Sequence, residues 1–158
     1  YKRQGPYHNY FEGKTFFDGG ISAAGATIDG YWAGSQEEII GINVDNGTET
    51  LTTGKKGYRV VPYACEVIEW TVLSNDTGSI TWDVNWCTYA NWTTTASVAY
   101  SHGSKIPLLS SADQATLAIS GSDWTKRTFA AGDIIEFEID SVTTLTNCTL
   151  SLKIRRTG

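Results

Sequence analysis

Apolar and polar side chains alternate without a fault across residues 79–86. Ile80, Trp82, Val84 and Trp86 fall on one side, and Thr81, Asp83 and Asn85 fall on the other. Period-two alternation of this length marks a strand with one face against a core. Two indoles on the apolar side require a thick, well-formed partner layer, since each aromatic removes roughly 150–250 Å² from water. After Trp86 the pattern breaks into Cys87-Thr88-Tyr89-Ala90-Asn91-Trp92, read as the strand leaving the sheet into an aromatic loop.

The same period recurs along the chain. Ile40, Ile42 and Val44 alternate, then Asp45-Asn46-Gly47 forms a turn of the hairpin type, which makes residues 48–53 the expected return strand. Gly54-Lys55-Lys56-Gly57 is the next turn, followed by a short strand over 58–61 that Pro62 ends. Ile68, Trp70 and Val72 share one face of a strand over 66–73. The run Ser74-Asn75-Asp76-Thr77-Gly78 is composed of turn formers and is expected to be a loop. Further strands are expected over 96–100 and 124–129, with an extended piece over 105–109 and a single helical turn at 111–114 capped by Ser110 or Ser111. Ile135, Phe137 and Ile139 point inward from the cleanest amphipathic strand, with Glu136, Glu138 and Asp140 outward. The last strand runs over 145–154. About eight short strands with no crossover helix predict an all-β chain, an antiparallel β-sandwich of jelly-roll type over residues 36–158.

Residues 1–35 read differently. Glycine recurs every few residues and no period is sustained, yet Tyr7, Tyr10, Phe11, Phe16, Phe17, Tyr31 and Trp32 are too many aromatics for a plain linker. Two readings stand side by side. One is an extended arm whose aromatics make attachment or subunit contacts, and the other is a loop packed on its own domain. The chain does not begin with Met, which is compatible with processing or with a longer polypeptide.

Composition narrows the function. The chain of 158 residues is domain-sized and carries a net charge of −5, against nucleic acid as a partner. No apolar run approaches the ~20 residues of a membrane-crossing helix. Three cysteines cannot all pair within the chain, and no Cys-x-x-C spacing suggests a metal. Cys148 lies on the face of Leu150, Leu152 and Ile154 and is expected to be buried, whereas Cys87 is on the polar parity and expected to be more exposed. Free thiols are the preferred reading, with an intersubunit disulfide through Cys65 or Cys87 as the alternative.

Candidate chemistry is sparse. Glu136, Glu138 and Asp140 could serve a glycosidase or a calcium ion, but outward acids are also what a solvated strand face carries. His8 and His102 are far apart, and no nucleophile motif accompanies them. No catalysis, cofactor or metal is expected. Four Asn-x-Thr sequons, at Asn46, Asn75, Asn91 and Asn147, arise easily in a Thr-rich chain and carry no reading. Six Trp and eight Tyr raise sugar binding, for which parity leaves the loop aromatics Tyr89, Trp92 and Tyr100 as candidates.

An ordered set of short segments completes the reading. Thr53-Gly54-Lys55-Lys56-Gly57-Tyr58 precedes Val61-Pro62-Tyr63-Ala64-Cys65. Gly78-Ser79-Ile80 leads into Asp83-Val84, and Thr88-Tyr89-Ala90-Asn91 follows. Ala131-Gly132-Asp133 with Asp140-Ser141, then Thr149-Leu150-Ser151-Leu152-Lys153, close the set. In these pieces the chain from Glu37 to Ile154 resembles a β-domain found near the C-termini of tailed-bacteriophage virion proteins, in tail fibres and in capsid or neck decorations. It departs from that pattern at Trp92-Thr93-Thr94, where relatives often have prolines, and residues 1–35 have no counterpart. The resemblance implies a non-catalytic virion component, a homo-oligomer, trimeric by expectation, joined to other virion proteins through residues 1–35. A carbohydrate- or host-receptor-binding module acting through Tyr89, Trp92 and Tyr100 is the alternative, and a hydrolase using Glu136 or Glu138 a distant third.

Overall fold

The computed structural model describes residues 36–92 and 105–157. Residues 1–35 with their seven aromatics, the expected strand over 96–100, Tyr100 and both histidines lie outside the described residues. Among the described residues, seven strands form one antiparallel sheet: β1 (Glu37–Asp45), β2 (Gly54–Val60), β3 (Cys65–Cys87), β4 (Leu108–Ala118), β5 (Thr128–Phe129), β6 (Ile134–Thr143) and β7 (Asn147–Arg156). The architecture is all-β and sandwich-like, as the alternation predicts. Its layers are halves of a single sheet curled into a half-barrel.

Three long chain segments cross the same level of the sheet, two of them interrupted there and β3 continuous. β6 and β7 run end to end along one edge of β3, with Val84 opposite Phe137 and Trp70 opposite Leu152. β1 and β2 run end to end along the far side of β7 and β6. The interruptions at 46–53 and 144–146 lie beside residues 74–78 of β3 and form a crease. β4 spans it on the other edge of β3.

Three sequence expectations fail at this crease, each for a definable reason. The Asn46-Gly47 turn makes no hairpin. Gly47 does take a positive φ, and its N–H donates to Asp45 Oδ1 at 2.7 Å. The segment over 48–53, however, is a loop that carries the chain from β7 to β6 without reversing it. Residues 74–78 stay within the strand. The segment bonds across to the start of β7: Ser74 Oγ donates to Asn147 O at 2.7 Å while accepting from the Asp76 N–H at 3.1 Å, and the Asn75 backbone N–H donates to Asn147 Oδ1 at 3.0 Å. The expected helical turn at 111–114 is part of β4. Opposite the crease its register slips, Ser111 takes φ 51°, and the Ser111 N–H donates to Ser79 Oγ at 3.0 Å. This is bulge geometry rather than helix.

Asp76 pins the crease electrostatically. Its Oδ2 accepts from the Thr146 hydroxyl at 2.5 Å and from the Thr146 N–H at 3.1 Å. These bonds favour the carboxylate and hold its pKa below the ordinary Asp value. A depressed folded-state pKa contributes stability above the unfolded value, about 3.9, and that stability disappears as pH falls through the folded value. Wild type should therefore exceed Asp76→Asn in urea midpoint at neutral pH, and the two curves should converge below about pH 4. A constant gap down to acid pH would show that the charge is not what holds the bend.

The concave side is the core. Trp82, Ile80, Phe137, Ile135, Ile139, Leu150, Leu152 and Ile154 are fully buried there, which confirms the parity reading of β3, β6 and β7. The expected strand over 124–129 is reduced to Thr128–Phe129, because Trp124 turns inward as an anchor. Its indole N–H and that of Trp70 both donate to Lys105 O, at 2.9 and 3.0 Å. Trp86 is only half-buried, at the mouth of the core, with the Lys126 ammonium 3.9 Å from its ring centroid.

All three cysteines are buried and unpaired, Cys87 included, contrary to its parity. Burial pushes the thiols of Cys65 and Cys148 up to about 11 and raises that of Cys87. An intersubunit disulfide through Cys65 or Cys87 would require local opening. The folded protein should be inert to a chromogenic disulfide reagent at pH 8 and titrate three thiols in urea. Rapid native labelling of one cysteine would contradict this burial.

Candidate functional site

The register of β3, β6 and β2 builds a polar patch on the convex face of the sheet. Asn85 is opposite Glu136, which is opposite Tyr58, and Asp83 is opposite Glu138, which is opposite Lys55. Two cross-strand rows therefore put three acids, an amide and a lysine beside an aromatic ring. Alternation alone places these side chains in solvent, and for two of them that expectation is wrong. Glu136 is only 3% exposed and Asn85 only 5%. Asp140, the third acid of the expected outward row, is exposed.

Burial of this polar pair is compensated by mutual hydrogen bonding, as buried polar groups require. Lys55 Nζ lies 2.9 Å from Glu136 Oε2, and the hydrogen bond raises the lysine's pKa, so it stays charged. Asn85 Nδ2 donates to Glu136 Oε1 and to Glu138 Oε2, at 3.2 Å each. One amide thus bridges two carboxylates that would otherwise repel. Asn85 Oδ1 is buried and has no hydrogen-bond partner among the described residues.

The aromatic loop lies next to this patch. β3 ends in a 3-10 turn over Tyr89–Asn91, closed by Asn91 N–H to Thr88 O at 3.0 Å. Trp92 then meets Tyr58 edge to face, ring centroids 4.4 Å apart. Tyr89 is 76% exposed and Trp92 37%, so both retain free ring surface. Of the three loop aromatics singled out from sequence, Tyr89 and Trp92 share this turn, and Tyr100 lies outside the described residues.

Asn85, Lys55 and Tyr58 were not singled out by sequence reasoning. The available signal was the polar parity of Asn85 on β3, matched to Glu136 and Glu138 on β6, but it becomes legible only once the strand register is known. Among the described residues, no group of three or more His, Cys, Asp or Glu side chains could hold a metal ion. Glu136 is engaged with the Lys55 ammonium and the Asn85 amide, and Glu138 with the same amide. Compared with protein-family models and with curated proteins, the chain matches none.

Proposed function

We propose that the chain is a structural module of a tailed-bacteriophage virion, a decoration or fibre component without catalytic activity. In this reading it assembles as a symmetric trimer and joins other virion proteins through residues 1–35. The sequence resemblance supplies the class. The observation that carries the assembly is the open sheet: a half-barrel has edges, and this one leaves apolar side chains on them. Ile39 on β1 is 68% exposed and Val60 on β2 is 61% exposed, on strands that among the described residues pair on one side only. Apolar residues on unpaired edge strands invite association, and a closed symmetric assembly satisfies every copy at once.

The decisive measurement is mass by light scattering over a dilution series. The expected result is a species of three times the 17.2 kDa chain mass that persists on dilution. The Ile39→Glu, Val60→Glu double variant should shift that species to monomer while its near-ultraviolet circular dichroism stays unchanged. A wild-type chain that is monomeric at all concentrations would overturn the trimer.

A further inference from the structure

We propose that the outer edge of the sheet docks a second copy of this chain, with the acidic half of the edge, on β1, set against the basic half, on β2, of its neighbour. The inference rests on the self-association in the proposed function and names the surfaces that make it. β1 and β2 lie end to end along one side of the sheet, beyond β7 and β6, and run in the same direction. Their charges are segregated. β1 carries Glu37, Glu38 and Asp45 and no base, whereas β2 carries Lys55, Lys56 and Arg59 and no acid. Part of each set is engaged within the chain, Glu37 with Lys153 and Arg155, and Lys55 with Glu136. Glu38 and Arg59 are exposed, and among the described residues neither makes an ion pair.

Side-chain parity matches as well as charge. Glu38 is opposite Ile154 and Arg59 is opposite Ile135, both core residues, so the two charges share the concave side of their strands. Ile39 and Tyr58, each one residue along, fall on the convex side and are exposed. An antiparallel meeting of the two edges that sets Glu38 against the neighbour's Arg59 therefore also sets Ile39 against the neighbour's Tyr58. Edge charges deter pairing when they are alike, but here the two halves are of opposite sign. Exposed ion pairs add little strength, so their part is to select partner and register, while the apolar side chains and the open backbone edges hold the contact. The complement of each half is the other half of the same edge, and this selects a second copy over an unrelated partner. The opposite edge, on β4, carries only Asp113 and has no such complement. In a ring of three, every contact joins two different patches. β1 and β2, parted by the loop over 46–53, supply them.

Light scattering on dilution of the full chain tests this with Glu38→Arg, Arg59→Glu and the chain that carries both changes. Each single reversal turns an attraction into a repulsion at every contact. It should raise the concentration of half-dissociation about tenfold or more. The doubly reversed chain should return to within about threefold of wild type, because acid and base have only changed places. That rescue is what a merely structural effect of the two positions would not produce. Should a reversal abolish the cooperative melting transition, the neutral Glu38→Gln or Arg59→Gln takes its place, with a shift of about threefold expected. Single variants that assemble as wild type, or a double variant no better than the singles, would overturn the edge contact and leave the trimer standing. A charge-dependent species of twice the chain mass would keep the edge contact, as a two-fold pair, and overturn the trimer. A wild-type chain that stays monomeric overturns both.

Discussion

Gly78→Ala is expected to lower stability by about 3 kcal/mol, the upper part of the range for forcing a methyl group into a filled interior. Gly78 lies where β3 bends. A Cβ there would meet Leu145 Cδ2 at 2.5 Å, Thr143 O at 2.6 Å and Thr144 Oγ1 at 2.6 Å. Two of these neighbours cannot retreat. Thr143 O is backbone, and Leu145 is wholly buried in the core. Thr144 already sits at φ 64°, so the chain opposite Gly78 has little freedom left. The informative control is Gly47→Ala, where φ is +67° but a Cβ would meet nothing within 4 Å. That change should cost only about 1 kcal/mol, the penalty of the backbone conformation alone. Urea denaturation separates the two: the Gly78 variant should lose midpoint at constant slope, and by much more than the Gly47 variant. Equal losses would mean that the crease is not tightly packed.

The crease is also where sequence reading reached its limit. Alternation at Ile80–Val84, Ile135–Ile139 and Cys148–Ile154 exposed the β class and most of the core, because period two maps directly onto burial when one face is dry. It could not show that the strand carrying Trp70 and the strand carrying Trp82 are one. Residues 74–78 have the composition of a turn, and local propensity says nothing of the cross-strand partners, Asn147 and Thr146, that hold them extended. Asn46-Gly47 likewise makes a real turn, yet whether a turn reverses the chain depends on which strands wait on either side. The candidate site was half legible for the same reason. Tyr89 and Trp92 stand out as loop aromatics, whereas Asn85, Glu136 and Lys55 converge only through the register of three strands distant in sequence. A polar residue on the wet parity is assumed solvated, and Glu136, 3% exposed beside Lys55, Tyr58 and Asn85 of the neighbouring strands, shows that it need not be.

The largest loss is expected at Trp82. Its indole is fully buried at the centre of the concave face, on β3 opposite Ile139. Trp82→Ala should cost about 3–5 kcal/mol, the transfer term of the lost ring plus the cavity left behind. Collapse to fill that cavity is hindered here. The strand is hydrogen-bonded on both edges, to β6 at Ile139 and through the Trp82 N–H to Pro107 O at 2.9 Å. Small domains have only about 5–15 kcal/mol in hand, so the variant should be partly unfolded near its melting range or lose a large part of its urea midpoint. Trp82→Phe keeps most of the volume and should lose clearly less. Trp92→Ala, in the exposed turn after the same strand, should leave the midpoint almost unchanged, because its ring is not part of the core. If Trp92→Ala instead destabilised the fold as much as Trp82→Ala, the aromatic turn would be a structural element of the half-barrel. The case for its rings as free binding surface would then fall.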